Sequence, residues 1–118
     1  YKETWRASSN DGARPPGTAI YYLLKGDERS AWHRIDSTEI WHHYAGAALE
    51  LRTTANGRAV QSIELGPDIA AGQVPQHIID PGIWQAARSL GEWTLVGCTV
   101  SPGFDFTGFE LASPGFAE

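Results

Sequence analysis

Two residues that can do chemistry together, an imidazole and a carboxylate, stand close in Trp32 to Gly46, WHRIDSTEIWHHYAG. His33 lies six residues before Glu39, and Gly46 lies seven after it. An imidazole titrates near neutral pH, and a carboxylate can orient it or share its proton, so this pair suits proton transfer. The same two groups can ligate a divalent metal, or anchor a small polar molecule in a pocket. His33 can equally be a buried ring hydrogen-bonded to Glu39 for structural reasons, because buried polar groups need partners. His43 lies four residues beyond Glu39 and shares its face along a strand, whereas His42 points to the other face. His42 and His43 therefore cannot both reach one ion easily, and His42 belongs at the surface or in a contact with another copy. Tyr22 or Tyr44 can supply a phenolic acid opposite the imidazole. Trp41 and Trp84 can form an aromatic wall or fill the core. Gln85 carries a donor and an acceptor, which suits ligand recognition better than metal binding. Asp105 can reach a pocket mouth as an acid or orienting group, or serve as a turn residue beside Phe104 and Phe106. His77, a lone histidine near a loop, reads as structural.

The elements that must carry these residues are short and β-rich. Thr18 to Lys25 (TAIYYLLK) reads as a strand, dense in β-branched and aromatic residues. Gly26-Asp27 is a turn, Ala31 to Ile35 a short strand, and Asp36-Ser37 another turn. Glu39 to Tyr44 alternates Glu39, Trp41 and His43 against Ile40, His42 and Tyr44. Ala48 to Thr53 and Val60 to Leu65 flank Asn56-Gly57, a hairpin signal. Gly66 to Gly72 is a turn-rich link before His77 to Ile79. Asp80-Pro81-Gly82 makes a corner ahead of Trp84 to Arg88. A helical template fits Ile83 to Leu90, but the preceding corner favours a strand. Trp93 to Val100 (WTLVGCTV) reads as a buried strand ending at Ser101-Pro102-Gly103. About eight short strands with turn signals between them make a β-sandwich or small barrel.

The bulk numbers exclude several classes. With 118 residues the chain is expected to form one domain spanning 1–118, large enough for a single core. A net charge of -5 with only nine scattered Lys and Arg argues against a general nucleic-acid binder. No apolar run approaches the roughly 20 residues needed to cross a membrane. The single cysteine, Cys98, allows no intrachain disulfide and makes the cytoplasm the default compartment. With nothing basic beside it in an apolar strand, Cys98 reads as an inert buried thiol. No phosphate loop, dinucleotide glycine pattern or zinc-knuckle spacing is present.

Several long runs are familiar. AIYYLLKGDERSAWHRIDSTEIWHHYAG, LGPDIAAGQVPQ, DPGIWQAA and LVGCTVSPGFDFTGFELA resemble cupin family 5, in the RmlC-like cupin superfamily. The resemblance covers nearly the whole chain and implies an all-β, double-stranded β-helix (jelly-roll) barrel and a homodimer, with no established reaction. It also implies a short segment before Tyr1. The superfamily's first motif carries two His, a Glu and a Gly. His33 matches the first His, Glu39 the Glu and Gly46 the Gly, while Ile35 stands at the second His. The second motif, a Pro-Gly corner and then a His, falls on Pro81-Gly82 and Gln85. With imidazole lost at two of four ligand positions, a tightly bound metal is not expected; if one binds, His33 and Glu39 hold it, with Gln85 or His43 beside them.

Three functions stay open. One is a metal-free isomerase or epimerase acting on a carbohydrate-like or carbonyl-bearing small molecule, with His33 as base, Tyr22 as acid and Glu39 beside them. The second is a metal-dependent oxygenase or lyase. The third is a pocket that binds a metabolite without turnover. Trp41, His43, Trp84, Gln85 and Asp105 are the expected ligand contacts, and no organic cofactor is expected.

Overall fold

The computed structural model describes residues 1–9 and 12–117. Asn10, Asp11 and Glu118 lie outside the described residues. Ten strands run in order: β1 (Lys2–Arg6), β2 (Thr18–Lys25), β3 (Arg29–Arg34), β4 (Thr38–Gly46), β5 (Leu49–Thr54), β6 (Gln61–Leu65), β7 (Gln76–Ile79), β8 (Trp84–Ser89), β9 (Trp93–Ser101) and β10 (Glu110–Leu111). They form two five-stranded sheets, in the orders β1-β2-β9-β4-β7 and β10-β3-β8-β5-β6. Every pairing between these strands is antiparallel. The all-β expectation holds, and the segment open to a helical reading is strand β8. No helix among the described residues is long and apolar enough to cross a membrane.

Two strands were not anticipated. All five residues of β1 are exposed, so it has no inward alternation to read, and it exists by pairing with the edge of β2. β10 has two residues, and its one ladder among the described residues is with β3. The Asn56-Gly57 turn does connect two strands, but over residues 55–60 rather than two residues. Asn56 Oδ1 accepts from the Arg58 and Ala59 amides at 2.8 and 3.1 Å, and Gly57 takes φ +78. A side-chain-capped turn therefore replaces the tight hairpin.

Alternation sets what the sheets enclose. Leu49 and Leu51 of β5 are fully buried, with Glu50 between them turned outward. With Leu24, Trp41, Leu65, Ile79, Val96 and Cys98 they make one core between the sheets. The outer face of the first sheet leaves Tyr21, Leu23, Tyr44 and Ile78 exposed.

The corner between β3 and β4 carries the chain from one sheet to the other. His33 precedes it on β3 and Glu39 comes after it on β4, so its shape sets where the imidazole and the carboxyl meet. Arg14 staples this corner. Its guanidinium donates to both Asp36 carboxylate oxygens at 3.0 and 2.8 Å, to Ser37 Oγ at 2.9 Å and to the Gly103 carbonyl at 2.6 Å. The bidentate pair holds the Asp36 carboxyl below its ordinary range. One side chain thus ties the sheet-to-sheet turn to the end of β9.

Candidate active site

A cavity of about 360 Å³ opens between the sheets, beside the core. Ile20 and Tyr22 of β2, His33 of β3, Glu39 and Trp41 of β4, and Cys98 of β9 all line it. Register explains the company. Glu39 pairs with Val100 and Trp41 with Cys98, while Ile20 pairs with Cys98 from the other side. Paired residues on adjacent strands point to the same face, so these side chains enter one space.

A bulge aims His33. Ser30 pairs with Ala87 and His33 with Gln85, so Ala31 and Trp32 together face Ala86. The Ala31 carbonyl lies 2.8 Å from His33 Nδ1. A carbonyl can only accept, so Nδ1 carries the proton of the neutral ring and Nε2 keeps its lone pair. Phe109 stacks on the ring at 5.5 Å between centroids.

Glu39 is held by a buried relay. Trp41 Nε1 donates to Gln85 Oε1 at 2.8 Å, and Gln85 Nε2 donates to Glu39 Oε1 at 2.8 Å. The indole N–H can only donate, so it forces the amide oxygen of Gln85 toward itself and the NH₂ toward the carboxyl. Gln85 has no solvent exposure, and Glu39 has 8%. Burial pushes the Glu39 carboxyl above its ordinary range, against the Gln85 donor, the charge His33 carries when protonated and the Cys98 thiol, which all favour the anion. Cys98 is itself pushed well up by burial and by the Glu39 charge, so it stays a thiol, as its apolar strand suggested.

The raised carboxyl carries a stability consequence. A group that binds its proton more tightly in the fold adds nothing unfavourable in acid. Its cost appears as pH rises through the unfolded carboxyl range and is complete above the folded value. Glu39→Gln keeps an acceptor for Gln85 and removes the charge. It is expected to raise stability at neutral pH and to leave stability unchanged in acid. Thermal unfolding of both proteins across that pH range checks this, and a variant less stable at neutral pH would contradict it.

The structure brings His33, Glu39 and Tyr22 together around one cavity. Tyr22 tilts against Trp41 at 6.3 Å, and its hydroxyl has no hydrogen-bond partner among the described residues. Of the two candidate phenols, Tyr44 is on the outer face, against Tyr21 and His42.

Other expected contacts are placed elsewhere. Trp41 is 1% exposed; it belongs to the core as well as the cavity wall, and its N–H is committed to Gln85. Gln85 acts on Glu39 instead of lining the cavity. His43 is about 13 Å along the strand from Glu39, outside the cavity, with Nε2 donating to the Ala47 carbonyl at 3.0 Å. Trp84 faces the other way, under Phe116 at 4.7 Å and the Arg34 guanidinium at 4.5 Å. Asp105 caps the short 3₁₀ turn Phe106–Gly108, accepting from the Thr107 amide and hydroxyl at 3.0 and 2.9 Å, bonds that lower its pKa. Its turn role replaces the expected reach into the pocket. His42 accepts at Nδ1 from Gln76 and donates at Nε2 to Thr99, and burial lowers its pKa. His77 pairs with Trp41 in β7, and burial lowers its pKa too.

Several cavity residues were missed. Tyr1, with Glu3 and Arg6 of β1, lines it, as do Phe104, Phe106 and Phe109 from the chain after β9. The clustered phenylalanines of FDFTGF were a usable signal for the second group. Nothing local marked β1. Cys98 was read correctly as buried, but its place beside Glu39 comes from the pairing of β4 with β9.

The donor set does not fit a metal ion. No group of three or more His, Cys, Asp or Glu among the described residues is arranged to hold one. At the two ligand positions without imidazole, Ile35 has no donor and Gln85 has its amide oxygen occupied by Trp41.

The model of the family described as Cupin superfamily (DUF985) matches residues 1–112. Among proteins of curated function, none matches the sequence significantly. A solved protein from Shewanella oneidensis is 34% identical, with TM-score 0.87, over 95% of this chain and 72% of its own. A hypothetical protein from Leishmania major is 24% identical, with TM-score 0.86, over 98% of this chain and 78% of its own. A dTDP sugar isomerase from Desulfovibrio desulfuricans shares the fold at 17% identity and TM-score 0.71, over 94% of this chain and 73% of its own. With two antiparallel sheets closing on one cavity and the family match running from Tyr1 to Ala112, the chain belongs to the DUF985 family of the cupin superfamily.

Proposed function

We propose that this protein is a metal-independent enzyme that moves a proton on a carbonyl-bearing, carbohydrate-like small molecule, an isomerisation or epimerisation. His33 Nε2 takes a proton from the carbon next to the carbonyl. The Tyr22 hydroxyl returns one to the same carbon, Glu39 stabilises the imidazolium meanwhile, and exchange with solvent then deprotonates the imidazolium and reprotonates the phenolate. The observation that carries this reading is the Ala31 carbonyl on His33 Nδ1, which leaves the basic nitrogen available in a cavity shared with Glu39 and Tyr22. That a dTDP sugar isomerase is built on the same barrel supports the reaction class by analogy of fold. Binding without turnover uses the same cavity and is the competing reading.

The test is hydrogen exchange. The protein is incubated in D₂O with aldoses, ketoses and dTDP-linked keto sugars, and proton NMR follows loss of the signal at the carbon beside the carbonyl. Wild type is expected to exchange at least one of them. His33→Ala should slow that exchange about 100-fold or more, and a chelator should leave it unchanged. Exchange undiminished in His33→Ala would remove the base assignment. A panel member that binds but never exchanges would favour the binding reading.

A further inference from the structure

The outer face of the second sheet carries a basic notch that the barrel chemistry does not use. Arg29 of β3 and Arg88 of β8 are directly paired, and like charges in that relation repel. Glu50 of β5 pairs with Arg88 from the other side and accepts from its Nε at 2.7 Å. Arg29 makes no hydrogen bond or ion pair among the described residues. Arg52, in the next outward position on β5, lies over the Trp32 ring at 5.1 Å. Ala86 opposes Arg52 on β8, and its small side chain leaves a hollow where a longer one would fill the sheet face. The hollow has a volume of about 100 Å³ and is lined by Arg29, Trp32, Glu50, Arg52, Ala86 and Arg88.

Three guanidinium charges against one carboxylate leave two positive charges in this hollow, on a chain whose formal net charge is -5. We propose that the notch binds a phosphoryl group. A phosphate monoester carries close to two negative charges at neutral pH, which matches the excess. Guanidinium forks match phosphate oxygens in geometry as well as charge. The space is roughly that of three water molecules, enough for one phosphoryl group and too small for a nucleotide base. The Trp32 ring supplies an apolar flank for whatever the phosphoryl group is attached to. The notch backs onto the β3 bulge, and Arg29, Ser30 and Ala31 border both it and the barrel cavity. The proposal nevertheless stands independently of the reaction assigned to that cavity.

The experiment is an NMR titration of the whole protein, following the arginine side-chain Nε–H signals. The probes are inorganic phosphate and phenyl phosphate, with sodium chloride at matched ionic strength as control. Saturable shifts of the Arg29 and Arg52 signals with either phosphate, absent with chloride, are expected. Arg52→Gln and Arg29→Gln should each weaken binding about tenfold. Both replace partly exposed side chains, and matched thermal unfolding shows that the fold is kept. His33→Ala should bind phosphate like wild type, which separates failure here from failure of the barrel assignment. Tighter binding of phenyl phosphate supports an esterified ligand resting on Trp32, and equal affinities support free phosphate. Shifts that chloride reproduces, or arginine variants that bind like wild type, would overturn the proposal.

Discussion

Replacing Gln85 with leucine is expected to cost about 3–5 kcal/mol of folding stability at neutral pH. Two buried partners lose their hydrogen bond together. The Trp41 indole N–H loses its acceptor and Glu39 loses its donor. An orphaned neutral group costs about 1–3 kcal/mol, and a hydrogen bond to a charged group is worth about 1.5–3 kcal/mol. The loss should depend on pH, with a sign set by linkage. Gln85 favours the charged form of Glu39, whose carboxyl is already pushed upward by burial. Without that donor the carboxyl rises further, so the added cost grows as pH climbs through the carboxyl range. In acid, where the carboxyl is neutral in both states, the indole's loss and the weaker hydrogen bond of the amide to a neutral carboxyl remain. Urea unfolding of both proteins at acid and neutral pH measures the difference. Equal losses at the two pH values would show that Gln85 does not act on the Glu39 charge. Natural domains are stable by only about 5–15 kcal/mol, so the neutral-pH loss consumes a large share.

Trp41→Ala should be about as damaging, by a different route. The side chain is 1% exposed and packs in the core with Cys98 and Ile79. Truncating a buried tryptophan to alanine leaves a cavity and costs about 3–5 kcal/mol. Trp41→Phe separates packing from hydrogen bonding. It keeps most of the ring, leaves Gln85 Oε1 unpaired, and is expected to cost about 1–3 kcal/mol. It also removes what orients the amide, so Gln85 becomes free to turn its oxygen toward Glu39. The double variant Trp41→Phe, Gln85→Leu should therefore cost less than the two single losses added, because both break one relay. Denaturant titrations of the four proteins give the coupling. Strict additivity would mean that indole, amide and carboxyl do not act as a unit.

Much of this architecture was legible in the residues. The strand from Thr18 to Lys25 was read with its observed bounds, because TAIYYLLK is β-rich and ends at a Gly-Asp turn. The corner at Asp36-Ser37 was read as well, and with it the placement of His33 and Glu39 on successive strands. The contrast is Trp84. It shares its dipeptide with Gln85, and both looked like pocket residues, yet one lies under Phe116 on the outside and the other is fully buried inside. Alternation requires that neighbours point oppositely, but local sequence does not say which of the two faces in. Asp105 was ambiguous for a simpler reason. An aspartate after a Pro-Gly break suits a cap and a catalytic acid equally, and the Thr107 amide two residues on decides for the cap.

The sequence by itself determined that the chain forms β-strands, where they turn, and that an imidazole and a carboxylate stand on successive strands. Local φ/ψ preference, turn chemistry and period-two alternation are all short-range, and they need no knowledge of the rest of the chain. Only the tertiary structure decided what those groups touch. Gln85 reaches Glu39 across 46 residues and Trp41 across 44. The His33 tautomer depends on a bulge that arises when β3 meets β8. The basic notch needs β3, β8 and β5 side by side. Each of these is a matter of register between strands distant in the chain. Shifting one strand by one residue turns every side chain to the opposite face, and the register is chosen by the packing of the whole core.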